Sequence, residues 1–280
     1  MSIRPFLWQI KKRVLLARIR LKFWLDLYQS AAESFHFVCN ICGTDCRVPV
    51  SAMSRERLSC YGCGSTIRFR SVVNALSIAL EIGLKPLTDN PVRKSIVGIG
   101  MSDSECYARK LEKKFSYSNT YYHKEPKLDI LNLETSRQDS ADFIICSDVL
   151  EHVAPPIHMA FQNLFRLLKQ GGVLVLTVPL AHASMASEHF PSLDKYHFEF
   201  RGDSRVLVNR TSAGNYEEFS ELVFHGGEGE TLEMRLFSKE WVLEELKTAG
   251  FSRVRIMDEE YPDFGIVWRQ DISVPLVAWK

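Results

Sequence analysis

Ala141-Asp-Phe-Ile-Ile-Cys-Ser-Asp148-Val-Leu-Glu151-His152-Val153 is followed by Phe161-Gln-Asn-Leu-Phe-Arg-Leu-Leu-Lys-Gln-Gly171-Gly172-Val-Leu-Val-Leu-Thr-Val-Pro179. Ala141–Cys146 and Gly172–Val178 are apolar runs of strand length, while Ile157–Leu168 repeats its apolar residues at helical spacing. Strand, helix and strand in that order predict a parallel pair joined by a crossover, each strand buried on both faces. The first strand then delivers Asp148, Glu151 and His152 to the carboxyl edge of the sheet, where polar side chains can face a ligand. The competing role for Glu151 and His152 is to start the next helix and pack in the core.

The same alternation extends outward. Upstream, Ser95–Ile99 and Thr120–His123 read as strands around a helix at Cys106–Phe115. Downstream come a helix at Ser238–Ala249, capped by Ser238, and strands at Arg253–Asp258 and Ser273–Trp279. The chain is therefore expected to be α/β, a parallel sheet with helices on both faces. The interval from Ala181 to Leu236 reads as irregular, carries His182, His189, His197 and His225, and lies where a substrate-covering insertion would interrupt the domain.

With 280 residues, 46% hydrophobic and 25% charged, the chain suits one α/β domain and a smaller appendage. Its net charge of +1 conceals an asymmetry: residues 1–94 carry 15 Lys and Arg against 6 Asp and Glu, the remainder 20 against 28. A basic front suits nucleic acid, an anionic membrane surface, or the acidic remainder of the same chain. Pro5–Gln29 predicts a helix in which Leu7, Val14, Leu21 and Tyr28, with Ile3, Ile10, Ala17 and Trp24, make an apolar stripe beside a strongly basic face. Such a helix fits a membrane interface, RNA, its own protein, or a homodimer contact. Lys11, Lys12, Arg13, Arg18, Arg20 and Lys22 interrupt the apolar residues, so no secretory signal is expected, and no run approaches transmembrane length.

Four of the seven cysteines fall in Cys39-Asn-Ile-Cys42-Gly43 and Cys60-Tyr-Gly-Cys63-Gly64. Two C-x2-C pairs separated by a loop have the spacing of a ribbon that closes a tetrahedral Zn2+ shell, and imply a reducing, cytoplasmic setting. Four thiolates leave no open coordination position, so the metal is expected to be structural. Cys46 is an alternative ligand, and Cys106 and Cys146 read as small core residues. A helix over Thr66–Ile82, with Arg68 and Arg70 in its first turn, precedes breaker residues from Gly83 to Pro91. The expected organisation is a basic amphipathic helix (1–30), a zinc ribbon with its helix (31–90), and the α/β domain (91–280) with an insertion at about 181–236.

The opening stretch resembles the methyltransferase type 11 group of class I S-adenosylmethionine-dependent enzymes, whose strand ends in D-x-L-E-H and whose next strand follows an L-L-K-P-G-G turn. Gln170 stands in place of the proline. The resemblance implies a Rossmann-like domain with S-adenosylmethionine as cofactor. Ile96-Val-Gly98-Ile-Gly100-Met-Ser102-Asp103-Ser104 occupies the place of that group's acid-x-Gly-x-Gly-x-Gly. Gly98 stands for the acid, and Ser102 and Ser104 stand for later glycines. A strand before, a helix after, and a capping Ser102 or Asp103 suit a polar ligand.

By the same resemblance Glu125 or Asp129 would meet the ribose or adenine, unless it merely caps a turn, and Asp148 would lie along the cofactor. His152, His189 and His225 are candidate general bases, none distinguished from the others. Glu188-His189-Phe-Pro and the glycine-rich turn after His225 resemble bacterial methyltransferases that pair this core with a zinc ribbon. That likeness implies a small-molecule or glycan acceptor, such as a surface polysaccharide intermediate. The alternatives are an RNA methyltransferase, favoured by the basic front and the ribbon although Arg55, Arg57, Arg68 and Arg70 make only a modest basic cluster, and a non-catalytic scaffold, favoured by the missing acid at Gly98.

Overall fold

The computed structural model describes residues 4–29, 33–202, 204–225, 231–268 and 273–280. Ile3, the side chains of Leu7, Ile10 and Tyr28, and the glycine-rich turn at 226–230 lie outside the described residues. The chain begins with helix α1 (Arg4–Gln29), a hairpin of β1 (Ser34–Val38) and β2 (Asp45–Pro49), and helix α2 (Ile67–Ala79). Then come β3 (Arg93–Met101), α3 (Glu105–Lys114), β4 (Phe115–Thr120), β5 (Ala141–Ser147), α4 (Ile157–Leu167) and β6 (Leu168–Thr177). The stretch 181–236 holds β7 (Ser187–Glu188), β8 (Lys195–Arg201), β9 (Ser204–Arg210), β10 (Tyr216–Phe219), β11 (Phe224–His225), β12 (Thr231–Leu232) and β13 (Arg235–Leu236). Helix α5 (Lys239–Ala249), β14 (Arg253–Ile256) and β15 (Leu276–Trp279) end the chain.

The central sheet has the order β14-β15-β6-β5-β3-β4. Strands β4, β3, β5 and β6 run parallel, while β15 is antiparallel to both β6 and β14. The sheet is therefore mixed rather than wholly parallel. A parallel return needs a crossover, usually helical, and among the described residues no α-helix lies between Ile256 and Leu276 to carry one. The chain leaves β3 toward β4 on one side and comes back to β5 on the other, so the crevice at the carboxyl ends of β3 and β5 is the switch point where ligands of such sheets bind.

The second strand is Phe115–Thr120, not Thr120–His123: α3 stops at Lys114 and the alternation of Phe115, Tyr117 and Asn119, all buried, begins at once. The interval 181–236 is not irregular, because β8, β9 and β10 form a three-stranded antiparallel sheet over a small core of Phe190, Leu207, Leu232 and Met234. One apolar cluster joins Phe37, Ile41 and Val48 of the ribbon to Val72, Val73 and Leu76 of α2 and to Phe143, Val175 and Val277 of the sheet.

Arg70 shows how closely these parts are joined. It is fully buried over the Phe37 ring, 4.4 Å from the ring centroid, and donates to Ser59 Oγ at 3.0 Å and to the Gly265 carbonyl at 2.8 Å. A guanidinium taken out of water needs such partners, since hydrogen bonds to a charged group contribute about 1.5–3 kcal/mol each.

Candidate functional site

The two cysteine pairs fold into matching knuckles. Gly43 N–H donates to the Cys39 carbonyl and Gly64 N–H to the Cys60 carbonyl, both at 2.8 Å, with Cys39 N–H bonded to Thr44 and Cys60 N–H to Ser65. Gly43 (φ 73°) and Gly64 (φ 80°) take the left-handed conformation that closes each turn, which a side chain would strain. The Sγ atoms of Cys39 and Cys63 lie 3.8 Å apart, those of Cys42 and Cys60 3.6 Å, and those of Cys60 and Cys63 3.7 Å. Four sulfurs about 2.3 Å from a tetrahedral metal are spaced about 3.8 Å from one another. Cys39, Cys42, Cys60 and Cys63 thus fit a metal, whereas Cys46 is buried with its thiol turned to the Thr44 carbonyl.

A cavity of about 930 Å³ opens at the carboxyl ends of β3, β4 and β5. Met101 and Ser102 line it after β3, Thr120 and Tyr121 at the end of β4, Asp129 in the loop beyond, and Asp148, Glu151 and His152 after β5. Ser102 holds φ 58°, a glycine-like turn on a serine, secured by its N–H to the Thr120 carbonyl at 2.8 Å.

Gly98 and Gly100 serve packing rather than the cavity. A Cβ on Gly98 would lie 2.1 Å from the Phe143 ring, and one on Gly100 would lie 1.8 Å from the Tyr117 hydroxyl and 2.3 Å from Asp103 Oδ2. An acid at position 98 would collide with Phe143. Asp103 also turns away: it is buried, accepts from the Tyr107 hydroxyl at 2.8 Å and from the Tyr117 hydroxyl, and its backbone is bonded twice to Asn119. Burial raises its pKa to about 7 against the lowering effect of the two phenols.

Glu125 is exposed, does not line the cavity, and accepts from Lys127 N–H at 2.9 Å, so it caps a turn. Asp129 does line it, while also accepting from Leu131 N–H at 3.0 Å and Asn132 Nδ2 at 2.9 Å. Asp148 is clamped. Arg55 donates to both of its oxygens at 3.0 Å, Thr177 donates at 2.8 Å, and Arg68 Nε lies 3.2 Å away. Burial pushes Asp148 up, but the hydrogen bonds and charge of Arg55, with the charge of Arg68, outweigh it and hold the carboxylate below its ordinary range.

Arg55 comes from the loop between the knuckles and Arg68 from the first turn of α2, so the ribbon supplies one wall of the cavity. The basic cluster is consumed in this way. Arg68 is paired with Glu56, Arg70 is buried, and Arg57 donates to the Ser51 carbonyl.

The three candidate histidines converge. His152 Nδ1 lies 2.9 Å from the Leu232 carbonyl, which fixes the proton on Nδ1 and leaves Nε2 as an acceptor. Burial lowers its pKa, with the neighbouring His225 adding to that effect. The His152 and His225 rings are 5.7 Å apart, and both line the cavity. Buried Glu233 bridges His225 Nε2 at 2.5 Å and His189 Nε2 at 3.1 Å, placing His189 behind the cavity wall. Glu151, 3.8 Å from His152 Nε2, is 2% exposed, and its Oε2 has no hydrogen-bond partner among the described residues. Burial, with the charge of Asp148 adding, raises its pKa to about 8.

Sequence patterns did not single out Glu233, Arg55 or Arg68 for these contacts. Glu233 lies between β12 and β13, so no strand pattern marks what its side chain meets.

A family model described as a methyltransferase domain matches residues 61–211. Similar solved structures include an S-adenosylmethionine-dependent methyltransferase from Clostridium acetobutylicum, at 14% identity over 74% of this chain and 88% of that chain, with a TM-score of 0.40. A sugar N-methyltransferase from Streptoalloteichus has 13% identity over 75% and 86%, TM-score 0.42, and an amino pentose methyltransferase from Micromonospora echinaspora has 12% over 78% and 94%, TM-score 0.42. A comparison with curated proteins returns no match. Since the matching segment runs from the second knuckle through β9 and takes in more than half of the residues, the chain belongs to the methyltransferase-domain family and is an S-adenosylmethionine-dependent methyltransferase.

Proposed function

We propose that this methyltransferase acts on a nucleophilic oxygen or nitrogen of a small-molecule or glycan acceptor, in the cavity at the carboxyl edge of β3, β4 and β5. The observation that carries this is His152, with its Nε2 left as an acceptor and its charge disfavoured by burial, in the same cavity as Ser102, Asp129 and Asp148.

The residues fit S-adenosylmethionine. The cavity is of cofactor size, the glycine-like turn is kept at Ser102, and the unpaired Oε2 of Glu151 is a buried polar atom awaiting a partner. Bound there, the cofactor supplies a methyl group already activated on a sulfonium. What is left to the protein is alignment of the acceptor and removal of its proton. Asp129 and the Tyr121 region would hold the nucleoside part, and Ser102 the methionine part. His152 Nε2 would take the acceptor's proton, with His225, held by Glu233, beside it. The four cysteines would hold a structural zinc, for which their sulfur spacing fits.

Commitment of Arg55, Arg68 and Arg70 to internal partners leaves little of the ribbon's modest basic cluster to meet an RNA substrate. The test is calorimetric titration of the zinc-loaded chain with S-adenosylmethionine and S-adenosylhomocysteine, beside Asp129→Ala. Gly98 is unsuitable because of its packing on Phe143. Micromolar binding that weakens about tenfold in the variant, a loss of about 1.4 kcal/mol that lies just below the range of about 1.5–3 kcal/mol for a hydrogen bond to a charged group, supports the assignment. No binding to folded protein overturns it.

A further inference from the structure

Helix α1 has two apolar sides. Leu16, Ile19 and Phe23 lie at helical spacing toward the ribbon: Phe23 is 3% exposed, Ile19 packs on the core, and Leu16 reaches the Gly64 knuckle. At about 100° per residue the opposite side carries Val14, Ala17, Leu21 and Trp24. Val14 is 46% exposed, and Leu21 and Trp24 are each 58% exposed. Lys11, Arg18 and Lys22 run along one flank of this outer stripe, and Arg13 and Arg20 along the other. In the whole helix Asp26 is the only acidic residue.

We propose that α1 lies flat on an anionic lipid surface, its outer stripe sunk into the boundary between headgroups and acyl chains. Charge selects this occupant. A second copy would press two basic-flanked stripes together, with only Asp26 on each to offset the repulsion, while a nucleic acid would satisfy the flanks and leave Val14, Leu21 and Trp24 without a role. A negative lipid surface answers both features: basic flanks meet the headgroups, and a tryptophan sits well at interfacial depth. Among the described residues no helix is long and apolar enough to cross a membrane, which suits a helix that rests on one. The inference does not depend on the acceptor.

The test is co-sedimentation of the full chain with vesicles of phosphatidylcholine alone, or of phosphatidylcholine with one third phosphatidylglycerol. Parent, Leu21→Glu/Trp24→Glu and Arg18→Glu/Lys22→Glu proteins are compared at low and high salt, with unfolding midpoints measured for each. The expected result is selective binding to anionic vesicles that weakens as salt rises. Both variants should lose at least tenfold in affinity with unchanged midpoints. Three outcomes overturn the proposal: equal recovery with and without anionic lipid, variants that bind like the parent, or a dimer in sedimentation velocity that Leu21→Glu/Trp24→Glu dissociates. Loss of folding in one variant leaves the other to decide.

Discussion

Asp103 sits under the turn between β3 and α3 with two phenol hydroxyls donating to it, and burial still raises its pKa from 3.8 to about 7. The folded state therefore keeps this proton to higher pH than the unfolded chain does. Its stabilisation is full below about pH 4 and is lost as pH rises toward 7. Asp103→Asn has no such titration, so the unfolding midpoint of the variant minus that of the wild type should climb by several degrees between pH 4 and 7. A constant difference would mean that Asp103 is ionised throughout.

His152 makes a kinetic prediction at the same scale. His152→Asn should lower kcat by about 10²- to 10⁴-fold, the usual worth of a positioned base, while S-adenosylhomocysteine affinity changes little. A variant with normal kcat would reassign the base to His225. At this scale the sequence was legible where a strand end carries residues to the cavity, as in Asp148-Val-Leu-Glu151-His152. It was not legible where partners are brought together from afar: the Arg55 clamp on Asp148 depends on the ribbon folding back over the sheet, and no local pattern encodes that.

Among the elements, β3 and β5 meet through a glycine. Gly98→Ala would put a methyl group into the Phe143 ring and should destabilise by about 1–3 kcal/mol, the cost of overpacking a filled core. Phe143→Leu in the same chain should recover part of the loss, and a denaturant titration of the two single variants and the double variant measures the coupling. Purely additive effects would mean that the clash is relieved elsewhere.

Apolar runs bounded by helical periodicity made β3, β5, α4, β6 and α5 readable, because strands buried on both faces leave unbroken apolar signatures. Strand β8 hid for the opposite reason. Tyr196, Phe198 and Phe200 alternate with His197, Glu199 and Arg201, but nearly all of them are exposed, so the alternation carries no contrast between core and water.

Across the whole molecule, the ribbon, α2 and the sheet share one apolar core, and the loop between the knuckles holds Asp148. Binding of metal to the four thiolates would therefore stabilise more than the ribbon. Stripping zinc with a chelator should lower the midpoint of a single cooperative transition and weaken S-adenosylhomocysteine binding in parallel, with one zinc per chain released in a colorimetric assay. Early melting of the ribbon alone, with cofactor affinity intact, would show that the parts are independent. The cysteine spacing made the cluster of four thiols legible from sequence, whereas its fusion to the sheet arises from long-range packing.

The segment that marks this chain as a methyltransferase starts at Tyr61, between Cys60 and Cys63. A fragment cut at that border would keep one thiol of four, lose Arg55, and uncover the face of α2 that the ribbon shields. The matched segment and the folded core do not coincide here. A gene fragment limited to the matched segment would carry the family's signature without the Arg55 clamp or three of the four thiols, so the ribbon and the sheet are expected to travel through recombination as one piece.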